Sequence, residues 1–177
     1  MRSFIVVLVL LIPTAIQAQH TQTDVGPLKQ SIDTGAPPLI TAFGDADAQF
    51  QAGTGEADDL AIRLANFENN PPVGFTPAQV QFVVGMPFTP SGYITLLDQA
   101  AQDLNLAQQY KTDLSRCWVF GDQCYDDGEY NEAWDYYILA GWDCGGLQQE
   151  TAASLDRIHA ARQAIQSLSD QLASIGY

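Results

Sequence analysis

The chain is poor in basic side chains. Seven Lys and Arg stand against 21 Asp and Glu, a formal net charge of −14. A nucleic-acid surface needs clustered Lys and Arg to neutralise phosphates, so nucleic acid is not an expected partner. Two His and three Cys are too few for a Cys/His zinc site of ordinary spacing. No two Cys are separated by two residues ahead of a His, so there is no haem-attachment motif. No Gly-rich phosphate loop follows a strand. No metal, cofactor or catalytic residue is therefore assigned. No stretch alternates with a period of two, so the strand signal is missing as well. What is present is 46% apolar residues in a chain of 177, enough to bury one core.

The start of the chain has its own pattern. Arg2 supplies a positive charge, Phe4 to Ile12 is an unbroken apolar run, Pro13 breaks it, and Ala18 ends the segment with a small residue. This is the layout of a secretory signal peptide over residues 1–18. The run is too short for a ~30 Å hydrocarbon core, and no later stretch is long and apolar enough to span one. The expectation is a periplasmic or extracellular protein with no membrane insertion once the signal is removed. Residues 19–54 carry scattered Gly and Pro, among them Gly26, Pro27, Gly35, Pro37, Pro38, Gly44 and Gly53. That punctuation reads as a flexible leader.

Residues 55–177 read as a helical domain. Thr54 is placed to cap a helix running to Glu68, with Leu60, Leu64 and Phe67 at helical spacing. Asn69, Asn70, Pro71 and Pro72 stop it. Thr76, Pro77 and Gln79 form a capping box with Pro at the first helical position. Thr89 and Pro90 repeat that kind of start. Tyr93, Leu97, Ala100, Leu104, Ala107, Leu114 and Trp118 then keep a 3/4 step, with Lys111 the one polar intruder. A last helix is expected from about Leu147 to Ser174. The fold class is thus all-α, a helical hairpin or bundle.

The segment from about 114 to 145 is more specific. Gly121, Ala133 and Ala140 are small residues at offsets that let two antiparallel helices approach closely. Gly128 stands in the turn, Tyr130 opens the second helix, and Tyr137 holds a large aromatic position. The segment resembles a single tetratricopeptide-repeat unit. Cys117 replaces the usual large residue near the start of the first helix, and Gly145 and Gly146 stand where a Pro is usual. The resemblance implies a protein- or peptide-binding function, with the ligand groove lined by the first helix. Carried over by position, that face presents Trp118, Asp122, Tyr125 and Asp126. Rings beside carboxylates suit a cationic or extended peptide.

Cys117 and Cys124 lie about 10 Å apart on one helix, too far for a disulfide. Cys144 returns to a similar height on the second helix, so a Cys117–Cys144 bridge is expected, with Cys124 unpaired or joining two chains. Asp45, Asp47, Gln49 and Glu56 approach the spacing of a calcium loop, but Phe50 stands where that loop needs Gly. Two alternatives to the binding module remain. One is a small secreted hydrolase of glycoside type using Asp122 and Asp126 in the acidic and aromatic cluster. The other is a structural bundle forming a homodimer along the 93–118 seam.

Overall fold

A computed structural model describes residues 19–177; the proposed signal peptide lies outside them. The protein is all-α. Helix α1 spans Gln22–Asn69, α2 spans Pro77–Gly85, α3 spans Tyr93–Asp127 and α4 spans Tyr130–Ser174, with a 3-10 turn at Met86–Phe88. α3 and α4 form a long antiparallel hairpin, and α1 lies along it, touching both. At 48 residues α1 is about 70 Å long.

The loose leader expected over 19–54 is corrected here. α1 begins at Gln22 and passes through Thr54 without a break. Thr54 caps nothing; its hydroxyl donates back to the Gln51 carbonyl at 2.8 Å. A seam of buried and half-buried residues runs along α1, Val25, Leu28, Ile32, Ala36, Leu39, Phe43, Ala46, Phe50, Gly53, Ala57, Leu60, Leu64 and Phe67, flanked by half-buried positions such as Ile40. The seam keeps a 3/4 step throughout, with one extra residue inserted between Ile32 and Ala36. Pro37 and Pro38 follow that irregularity. Pro27, Pro37 and Pro38 all face solvent, where the carbonyls they leave unbonded reach water. A mid-helix Pro costs about 3 kcal/mol. Burying a Val, Ile, Leu or Phe side chain returns about 1.5–3 kcal/mol each, and α1 buries six of them. Packing therefore overrides local propensity.

The other signals divide. The Thr76 capping box forms, with Gln79 N–H donating to Thr76 Oγ1 at 3.3 Å and Thr76 N–H to Gln79 Oε1 at 2.9 Å. Thr89 instead closes the 3-10 turn through Met86 O, and α3 starts after Gly92. A Cβ on Gly92 would lie 2.2 Å from the Pro87 carbonyl oxygen, so only glycine fits there. The α3 seam is buried from Tyr93 to Leu114. Lys111, its polar intruder, places its ammonium 4.8 Å from the Phe43 ring of α1. The seam is thus consumed within one chain. Leu147 does not begin a helix, because α4 runs unbroken through Gly145 and Gly146.

The hairpin turn follows the expected chemistry. Gly128 is left-handed (φ 81°), and Glu129 N–H donates to Cys124 O at 2.8 Å while Gly128 N–H donates to Tyr125 O at 3.3 Å. This pair of bonds closes the helix end. Ala133 and Ala140 are fully buried. Gly121 takes the Tyr137 ring, and farther along Gly146 takes the Tyr110 ring. That register sets Cys117 level with Ala140 and leaves Cys144 about one turn, ~5.4 Å, beyond it. The Cys117–Cys144 bridge is accordingly not formed, and all three cysteines are free. The candidate calcium loop is also excluded, since Asp45, Asp47, Gln49 and Glu56 all lie on α1.

Two glycines separate packing from propensity. A Cβ on Gly121 would lie 2.8 Å from the buried Tyr137 ring, whereas one on Gly145 meets nothing. Gly→Ala favours a helix by about 1 kcal/mol where space allows; overpacking costs about 1–3 kcal/mol. Urea unfolding is expected to find Gly145→Ala stabilised and Gly121→Ala destabilised. Equal effects would contradict the register.

Candidate interaction surfaces

The face carried over from the repeat resemblance is brought together, but around the chain's own α1. Trp118 Nε1–H donates to Asp33 Oδ1 at 2.8 Å. Lys29 Nζ lies 3.2 Å from Asp33 Oδ2 and also donates to Asp122 Oδ1. Tyr137 O–H donates to the same Asp122 oxygen at 2.6 Å. One ammonium therefore links carboxylates of α1 and α3, with Trp118 and Tyr137 as further donors. Tyr125 stands edge-on to Tyr130 at 5.7 Å, with its hydroxyl next to Gly26. Asp126 is exposed and takes no part in the network.

Position explains the electrostatics. Burial by itself would lower the Lys29 pKa, but hydrogen bonds to Asp122 and Asp33 outweigh it and hold the ammonium above its ordinary value. Burial, then the bond to Asp122, pushes the Tyr137 phenol well above its usual range. α1 is pinned again at its start. The His20 ring stacks on Trp134 at 4.0 Å, nearly parallel, and His20 N–H donates to Asn131 Oδ1 at 2.7 Å. At the far end Arg63 reaches the Ser169 hydroxyl and the Ser169 and Tyr177 carbonyls. His159 of α4 is exposed, with Nε2 3.2 Å from Gln49 Oε1.

A different surface remains open on the side of the hairpin away from α1. Phe120 and Tyr136 meet at 5.6 Å between ring centres. Leu139 is 42% and Trp142 70% exposed, one helical turn apart on α4. Beyond them stand Asp113 of α3 and Asp143 of α4, with Arg116 bonded to Asp113 at 2.9 Å. Burial, then repulsion from Asp113, raises the Asp143 pKa. Tyr110 over Gly146 closes the row. The aromatic and acidic richness of this segment is visible in the sequence. Which rings point inward is not, because both faces of the hairpin carry them.

The charge left outside is one-sided. Among the described residues Lys29, Arg116, Arg157 and Arg162 are in ion pairs, Lys111 covers a ring and Arg63 binds oxygens of the chain. Among the described residues, five acids, Asp33, Asp103, Asp113, Asp122 and Glu56, form ion pairs and the other sixteen do not. No helix among the described residues is long and apolar enough to cross a membrane. No protein-family model matches the chain, and comparison with curated proteins and with solved structures finds no match.

The α1 network has a pH signature. Lys29 and Tyr137 both keep their protons longer when folded than when unfolded. Above about pH 10 the unfolded chain therefore holds fewer protons, and stability falls as pH rises. Urea unfolding is expected to show this decline, and a shallower one for Asp122→Asn. Both partners are partly exposed, so near neutral pH that variant should lose only on the order of 1 kcal/mol. An identical pH slope in the two proteins would contradict the network.

Proposed function

We propose that the chain is a secreted or periplasmic helical protein-binding module. The observation that carries this reading is the apolar row on the outer side of the hairpin, exposed Phe120, Leu139 and Trp142 beside half-buried Tyr136. Large exposed apolar side chains grouped on one face mark interaction sites more often than scattered ones do. Gly121, Ala133 and Ala140 let the two helices of the hairpin approach closely, and α1 covers the hairpin's other face. The working surface in this reading is the outer face and not the one bearing Trp118. The start of the chain supports the expected compartment.

The test is a pull-down from envelope and culture-supernatant extract of the source organism. Three baits of equal helical circular dichroism are compared: the native chain, Leu139→Ser with Trp142→Ser, and Trp118→Phe. A partner kept by the native and Trp118→Phe baits and lost by the double variant is the expected result. If no partner distinguishes the double variant from the native bait, the reading is wrong.

A further inference from the structure

Resting on that reading, we infer that the outer face of the α3–α4 hairpin receives a cationic amphipathic helix of a partner protein, with a Lys or Arg seated between Asp113 and Asp143 and apolar side chains on the Phe120–Tyr136–Leu139 row. Three rungs define the surface. Phe120 meets Tyr136, Tyr110 lies over Gly146, and the register set by that contact and by Gly121 against Tyr137 places Asp113 of α3 opposite Asp143 of α4. Phe120 and Asp113 are seven residues apart on α3, about 10 Å along its axis. A partner helix offering an apolar side chain and a basic one a heptad apart matches that distance. Leu139 falls between the two rungs and takes the intervening apolar position.

Charge decides what kind of helix fits. Arg116 offsets one of the two carboxylates, so the acidic rung keeps an excess negative charge in a half-buried position. A cation placed there sits between two like-charged carboxylates and gains charge-assisted hydrogen bonds. A second copy of this chain is the wrong occupant. Face-to-face pairing would bring the two acidic rungs together between molecules that each carry −14. An acidic helix is disfavoured for the same reason. The apolar row supplies the burial, and the acidic rung selects the sign of the partner.

The experiment uses two synthetic helical peptides with the same Leu stripe, one flanked by Lys and one by Glu. Binding to the full chain is followed by calorimetry at physiological salt. The Lys peptide is expected to bind and the Glu peptide is not. Asp143→Asn and Phe120→Ser are each expected to weaken the Lys peptide by about tenfold or more. Asp170→Asn, an exposed acid near the other end of α4, is expected to leave it unchanged. If Phe120→Ser loses its helical circular dichroism, Leu139→Ser replaces it. The inference is overturned if the Lys peptide does not bind, if both peptides bind alike, or if Asp170→Asn weakens binding as much as Asp143→Asn. Should the pull-down still lose its partner with the Leu139 and Trp142 double variant, the binding reading survives and only the cationic partner is wrong. Should it not, both fall.

Discussion

The packing of α1 along the α3–α4 hairpin is the constraint on which the rest of the structure depends. The hairpin alone would leave Leu104, Ala107, Leu114 and Tyr137 without part of their cover. α1 supplies it through a row of small and large side chains, from Val25 to Phe67. Small residues at Ala36, Ala46, Gly53 and Ala57 bring the helix axes close, and Phe43, Phe50 and Phe67 fill the space between. Phe50 touches both apolar clusters and joins them into one continuous core. Polar groups then set the register. Lys29 ties Asp33 to Asp122, Trp118 reaches Asp33, and His20 stacks on Trp134. Such bonds add little stability at partly exposed positions, but they favour one alignment of a long, smooth helix over its neighbours.

The same packing explains what the sequence made legible and what it hid. The all-α class followed from helical spacing at Leu60–Phe67 and Tyr93–Trp118 and from the lack of any period-two alternation. The Thr76 cap and the Gly128 turn were legible because each rests on chemistry within a few residues. The first half of α1 was not, because Gly26, Gly35 and Gly44 interrupt a stretch whose seam is otherwise large and apolar at Val25, Leu28, Ile32, Leu39, Phe43 and Phe50. Its three prolines also look like breakers until they are seen to face water. The 3/4 step from Val25 through Phe43 to Phe50 was the available clue. Gly145 and Gly146 misled in the same way. They read as a stop, yet Gly146 is a seat for the Tyr110 ring within an unbroken helix. The disulfide expectation failed on register, since counting residues from a turn does not resolve a single helical turn.

The candidate site was legible only in composition. Trp118, Asp122 and Tyr125 do cluster, but the partner they find is the chain's own α1. Without a place for α1, no reading of residues 114–145 could tell the covered face from the open one. Placing α1 leaves the outer row from Phe120 to Trp142 as an uncovered apolar surface of the hairpin, with Val119 and Leu106 of α3 also exposed. Ion pairs neutralise Lys29, Arg116, Arg157 and Arg162, so the unpaired charge of the described residues is almost entirely acidic. An apolar row inside such a field selects partners by charge before any side chain is fitted.

The most direct test of this account is amide hydrogen exchange across residues 22–53. A helix packed along the hairpin predicts that the amides of Val25, Ile32, Phe43 and Ala46 are protected to nearly the same degree as those of Leu104 and Leu114 in α3. Exchange there at the rate of an unstructured chain, with α3 and α4 still protected, would mean that α1 does not occupy the hairpin face, and the assignment of the open surface would fail with it.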